Sequence, residues 1–224
     1  MSTAADRRRS ILADIASAAK LARRDPGDVT LVAVSKSRSP EEIEEMIAAG
    51  QRDFGESRVQ EALAKWPPIL ARHPDVTLHA IGRLQSNKAA DAVRLFDVIH
   101  SLDRLSLLGA LVKEADRQGR RPSVYVQVNI GEEAQKGGCA IAEVGELVAA
   151  VRASPLPLAG LMAIPPLDTE PAPYFALLAG IARRHGVTPP EKMLGLSMGM
   201  SADYQAAVKI GATAVRVGTA LFED

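Results

Sequence analysis

Eight short runs of β-branched and small apolar residues punctuate this 224-residue chain, and a longer run with helical spacing follows each of the first seven. No other feature limits the possible folds so tightly, because strands joined by helical crossovers lie parallel in one sheet. The strand candidates are residues 29–35, 53–55, 77–81, 97–101, 124–130, 158–162, 192–197 and 214–218. Between them lie helical patterns from Pro40 and near 57–65, 86–96, 103–118, 141–152, 173–185 and 202–210, with a short turn over 218–222 after the last strand. The pattern from Pro40 is the best marked. Ser39 stands at the N-cap, Pro40 at the first helical position, Glu42 at the capping-box position, and Gly50 is the stop.

Residues 1–28 read as an added N-terminal helix and linker. Ile11, Ile15, Ala18, Ala19 and Ala22 recur on one helical face, which suits a packed helix better than a targeting segment. Setting those 28 residues aside leaves 196 of the 224, or about 25 for each of eight βα units. The expectation is one domain over 1–224, a closed (β/α)8 barrel of the TIM type. An open doubly wound sheet is the alternative.

In such a barrel, chemistry gathers where strands end and βα loops begin. Those ends here carry Lys36, Glu56, Gly82, His100 with Ser101, Asn129, Met162, the segment from Ser197 to Ser201, and Arg216 with Gly218 and Thr219. Strand parity sharpens this. Tyr125, Gln127 and Asn129 share a face opposite Val124, Val126, Val128 and Ile130, so the polar face should point into the barrel. Arg216 shares a face with Ala214 and Gly218. An inward Arg216 is a buried cation and requires an acceptor.

Ser201 is placed to N-cap the helix over 202–210, and Gly218 and Thr219 open a turn beside it. A plain cap and a plain turn explain each one singly; a phosphate cup at adjacent strands explains both. Lys36 has two readings as well. A lysine at a strand end is commonly solvated, whereas one desolvated by the barrel mouth, with a depressed pKa, forms Schiff bases with carbonyls. An amine, a phosphate cup and a buried arginine together match the aldehyde, phosphate and ring nitrogen of pyridoxal phosphate (PLP).

Composition removes other classes. Lys and Arg number 27 against 27 Asp and Glu, so the basic excess of a duplex-binding protein is missing. Aromatics at 4% give little stacking surface for single-stranded nucleic acid. The single cysteine, Cys139, rules out an intrachain disulfide and a cysteine-built zinc site, and suits a reducing cytoplasm. No apolar run reaches the ~18 residues of a membrane span. His79 and His100 read as hydrogen-bonded core histidines, and Cys139 as inert. No metal site is expected.

With these residues in view, the chain resembles the pyridoxal phosphate homeostasis proteins, related to the N-terminal barrel of alanine racemase. The matching segments are LVAVSK (31–36), FGESRVQE (54–61), HAIGRLQSNK (79–88), HSLDR (100–104), QVNIGEEAQKGG (127–138), GLMAIP (160–165), LSMGMSADYQAAVKIGAT (196–213) and VRVGTALF (215–222). The resemblance implies Lys36 as the internal aldimine lysine, Ser201, Gly218 and Thr219 at the phosphate, Arg216 at the pyridine nitrogen, and Met162 near the ring. One departure stands out: the family often reads FGENYVQE, so Ser57 replaces an Asn that would approach the cofactor, and Arg58 replaces an aromatic. Lys88 is a further amine in a family-like loop; a salt-bridging surface lysine is its simpler reading.

A carrier and an enzyme require different things. An arginine beside the ring nitrogen keeps its own proton, so the ring is a weak electron sink. A racemase also requires a second acid or base, which in alanine racemase-like enzymes comes from an added β domain. This chain runs only six residues past Gly218. The expectation is a PLP carrier or buffer without a full catalytic set, a cytoplasmic monomer that serves PLP-dependent apo-enzymes and binds neither nucleic acid nor membrane. Two alternatives are kept. One is a racemase-like enzyme drawing an acid or base from Tyr125, His79 or His100. The other is a phosphosugar-binding barrel without PLP.

Overall fold

The computed structural model describes residues 2–186 and 193–223. Its eight strands are β1 (Thr30–Val34), β2 (Asp53–Glu56), β3 (Thr77–Ala80), β4 (Val98–Leu102), β5 (Ser123–Gln127), β6 (Leu158–Met162), β7 (Gly195–Ser197) and β8 (Ala214–Val217). All neighbours pair in parallel, in sequence order, and β8 closes on β1 with Arg216 opposite Val32. The closed barrel is the architecture expected, and the open doubly wound sheet is excluded. The helices are α1 (Ala4–Leu21), α2 (Pro40–Ala48), α3 (Val59–Arg72), α4 (Ala89–Leu95), α5 (Leu105–Gln118), α6 (Val144–Arg152), α7 (Ala172–His185), α8 (Tyr204–Ile210) and α9 (Thr219–Phe222). Among the described residues no helix is long and apolar enough to cross a membrane.

Local rules explain most boundaries. Ser39 and Glu42 form the expected reciprocal capping box of α2, with Pro40 at its first position. Several element boundaries differ from expectation. Helix α3 runs on through Pro67 and Pro68 to Arg72, because Trp66 and Ile69 are fully buried and hold the last turns in place. The strand expected over 192–197 is Gly195–Ser197; Met193 and Leu194 stand before it outside the strand, and Lys192 lies outside the described residues. Strand β5 stops at Gln127, after which Val128 makes a lone bridge with Cys139.

The apolar core lies between the sheet and the helices, where Leu31, Phe54, Leu78, Ile99, Val124 and Leu161 meet the inner faces of the helices. Each such side chain contributes roughly 1.5–3 kcal/mol on burial. The barrel interior is different: His79, His100, Gln127, Ser197 and Arg216 are all buried there or at its mouth. Helix α1 braces the end of the chain. The Tyr204 hydroxyl donates to Asp14 Oδ2 at 2.7 Å, Arg7 Nε donates to Leu221 O at 2.7 Å, and Arg24 reaches the carbonyls of Val208 and Ala212.

Candidate functional site

At the C-terminal mouth, where β8 closes on β1, a cavity of about 320 Å³ is lined by Lys36, Arg38, Ser201, Arg216, Gly218 and Thr219, among others. Small-molecule sites span roughly 300–1,000 Å³. Five of the six candidate residues read from the sequence therefore meet in one place. The sixth, Met162, is fully buried on β6 and is not on this lining. Bigger cavities lie elsewhere. One of about 640 Å³ opens at the opposite end of the barrel, with Thr30, Tyr125, Pro157 and Thr213 in its wall.

Lys36 sits in the four-residue turn after β1, which the Arg38 N–H closes on Ser35 O at 3.1 Å. It is exposed, which agrees with the solvated one of its two readings and not with an amine desolvated by the barrel mouth. The strand stops two residues short of it, at Val34, and the turn carries it to the exposed rim of the cavity. What is buried is the support beneath. Lys65 Nζ lies 2.8 Å from Glu56 Oε1, 2.9 Å from Ser35 O, 3.2 Å from Arg38 O and 3.4 Å from Glu61 Oε1. Glu56 Oε1 also accepts from Ser35 Oγ at 2.7 Å and Trp66 Nε1 at 2.9 Å. The residue after Lys36, Ser37, has φ +59°, a conformation costly for a side-chain-bearing residue. Its N–H donates to Glu61 Oε1 at 2.6 Å, which holds it there. Arg38, paired with Glu223 and Glu42, closes the outer edge; the Glu223 carboxylate raises its pKa above the usual arginine range.

The opposite wall comes from the turn after β7. Ser201 does not cap α8, as the sequence suggested. That helix starts three residues later, with Asp203 at its N-cap. Asp203 Oδ1 accepts from Met200 N at 2.6 Å, closing the turn earlier and leaving the Ser201 hydroxyl facing β8, where the Gly218 N–H reaches it at 3.3 Å. That bond is long for N–H···O, so a better acceptor can compete for the N–H. A Cβ at Gly218 would lie 3.3 Å from the Val34 Cβ, and its absence lets the last turn approach the end of β1.

Arg216 is 3% exposed. Nη1 donates to Ser197 Oγ at 2.6 Å and Nη2 to Ala163 O at 3.1 Å. Both acceptors are neutral. Burial pushes the guanidinium down to about 10, so it remains a cation at neutral pH. Behind it, Ser197 Oγ meets His100 Nδ1 at 2.8 Å, His100 Nε2 meets His79 Nδ1 at 2.9 Å, and His79 Nε2 meets Asp53 Oδ1 at 3.1 Å. Both histidines are thus hydrogen-bonded core residues, as read. Sequence reasoning missed Ser197 and Asp53 as members of this set; the demand that Arg216 find an acceptor was the available signal.

Ser57 lines a neighbouring cleft of about 540 Å³ with Arg58, Arg83, Lys88 and Arg104, outside the Lys36 cavity. Cys139 is 4% exposed, and its thiol pKa is pushed up to about 12, chiefly by burial. It should resist thiol reagents at pH 8 in the native protein and react fully in denaturant. Rapid native labelling would contradict this placement.

The family model described as the alanine racemase N-terminal domain matches residues 10–224. The pyridoxal phosphate homeostasis protein of Pseudomonas aeruginosa is 43% identical over 223 residues, covering 99% of this chain and 96% of that one. PipY of Synechococcus elongatus, solved with PLP bound, is 41% identical with a TM-score of 0.78, covering 93% of this chain and 99% of that one. Alanine racemase from Corynebacterium glutamicum is 17% identical with a TM-score of 0.65, over 95% of this chain and 60% of that enzyme, a likeness of fold alone.

Proposed function

As a chain that belongs to the pyridoxal phosphate homeostasis protein family, it holds, we propose, pyridoxal 5′-phosphate at the barrel mouth and serves as a carrier or buffer of that cofactor. The carrying observation is the meeting of Lys36, Ser201, Arg216, Gly218 and Thr219 on one cavity. The parts fit the group. Ser201 and Thr219 bring hydroxyls and Gly218 an N–H that can be turned to a phosphate. Arg216 spends two of its five N–H donors on Ser197 and Ala163, leaving others for a ring nitrogen. Lys36, exposed at the rim, brings the amine. When bound, PLP supplies an aldehyde that condenses with a primary amine with loss of one water. Met162, off the lining, is left out of the proposed contacts.

Holding fits the geometry better than turnover. A guanidinium donates to a ring nitrogen without surrendering its proton, so the ring gains little electron-withdrawing power. The side chains that could act as a second acid or base are engaged elsewhere. His79 and His100 bond to each other and to Asp53 and Ser197. Tyr125 stacks on His100 at 4.5 Å and lines the cavity at the other end of the barrel, with its phenol pKa raised by burial. The proposed recipients are PLP-dependent apo-enzymes of the cytoplasm, supplied by a monomeric carrier.

The test is covalent. With added PLP the protein should show a visible absorption band that borohydride bleaches, leaving the label on the Lys36 peptide; Lys36→Ala should show neither. A wild-type protein without such a band would overturn the reading. Catalytic turnover of a free amino acid by the loaded protein would move it from carrier to enzyme.

A further inference from the structure

Arg216 is a buried cation whose two hydrogen-bond acceptors are neutral; the Asp203 carboxylate attracts it through space, and the hydrogen-bond chain behind it ends on a second carboxylate at the far end of the barrel. Asp53 opens β2, whereas the Lys36 cavity lies at the C-terminal ends of the strands. The direction of that chain follows from its two charged ends. A carboxylate only accepts, so His79 presents Nε2–H to Asp53 and keeps Nδ1 as an acceptor. His100 then donates from Nε2 and accepts at Nδ1. Ser197, which already receives the Arg216 N–H on its oxygen, sends its own proton to His100 Nδ1. Every group is used once and every donation runs the same way.

The reverse arrangement fails. A doubly protonated His79 would turn His100 around, so that its Nδ1–H pointed at Ser197 Oγ. That oxygen would then receive two donors, and its own proton would lose the His100 acceptor. A second cation would also share the barrel with Arg216. The groups facing His100 are His79 on β3, Tyr125 on β5, and Ser197 and Arg216 on β7 and β8, with no carboxylate at its ring.

We propose that Arg216 is tied to Asp53, at the other end of the barrel, through a one-way hydrogen-bond chain Arg216→Ser197→His100→His79→Asp53. This chain keeps both histidines as neutral Nε2–H tautomers and fixes the guanidinium as a donor toward the pocket. Asp53, His79, His100 and Ser197 are positioning residues, which act on a bound ligand only through Arg216. The chain stands on the protein's own atoms; its effect on a ring nitrogen rests on the function proposed above. Removing the charge at one end of the barrel should therefore change binding at the other.

The experiment is long-range proton–nitrogen correlation NMR of the labelled full chain, without and with PLP. The expected result is Nε2–H alone for His79 and His100, with His100 still neutral below the ordinary histidine range, because burial disfavours its charged form. A proton on Nδ1 of either ring overturns the chain. Asp53→Asn, which keeps an acceptor of the same shape, should give mixed histidine tautomers. It should weaken PLP binding about five-fold or more, the low end of coupling between distant sites, while Lys36 still labels. Unchanged tautomers and affinity would overturn the coupling of Asp53 to Arg216. The wild-type spectrum alone decides the matter if the variant does not fold. A protein that takes no PLP fails the function and leaves the tautomer result standing.

Discussion

Lys65→Met is expected to lower the stability of the protein by about 3–5 kcal/mol, the usual loss when one partner of a buried ion pair is removed. The side chain of Glu56 is fully buried, and its Oε1 relies on Lys65, Ser35 and Trp66. Methionine fills the stem volume but leaves that carboxylate beside two neutral donors only. It also frees Ser35 O and Arg38 O, the carbonyls on either side of Lys36. Two readouts should move together: the midpoint of urea unfolding, and the rate at which Lys36 takes a borohydride-stable label. The double variant Glu56→Gln/Lys65→Met should recover part of the stability, because no buried charge is then left alone. A loss below about 1 kcal/mol in the single variant, as for an exposed pair, would show that the cluster is solvated in solution.

Gly199→Ala should cost about 2–5 kcal/mol, combining backbone strain with overpacking. Gly199 has φ +93°, and a Cβ there would lie 2.6 Å from the Ala207 Cβ and 3.0 Å from the Tyr204 Cα. Either α8 or the turn bearing Ser201 must move. Gly199 O also accepts the Arg216 N–H at 2.9 Å, so the disturbance reaches both walls of the cavity. The variant should lose most of its preference for pyridoxal phosphate over pyridoxal, because the affected turn is the one assigned to the phosphate. Competition between the two aldehydes for Lys36 labelling measures this. An unchanged preference would remove Ser201 from the phosphate role.

These two cases mark what the chain disclosed in advance. Strand positions came out within a few residues because period-2 apolar patterning is local, and the barrel followed from their number and order. Lys36, Arg216, Gly218 and Thr219 were legible because each stands at a strand end. The start of α8 was not. Ser201 and Asp203 are both good caps, and only the bond from Met200 N to Asp203 shows which turn closes. The extent of α3 was hidden by Pro67 and Pro68, whose local penalty is outweighed by the burial of Trp66 and Ile69. The chain from Ser197 to Asp53 joins four strands far apart in sequence, so no window contains it. Of the two readings of Lys36 the solvated one holds, and the buried amine of this region is Lys65, one turn of helix beyond Glu61.

The seam between β1 and β8 also has a meaning in time. Lys36 and Arg216 are 180 positions apart, and the turns bearing Ser201 and Thr219 are backed by α8 and α9, which α1 holds through Asp14 and Arg7. These two distant segments must meet before the cavity has two walls, and closing so long a loop is a late, entropically expensive event. A nascent chain still lacking β8 therefore carries its lysine but no cup or guanidinium beside it. Retention of a ligand between these two walls then becomes a signature of barrel closure.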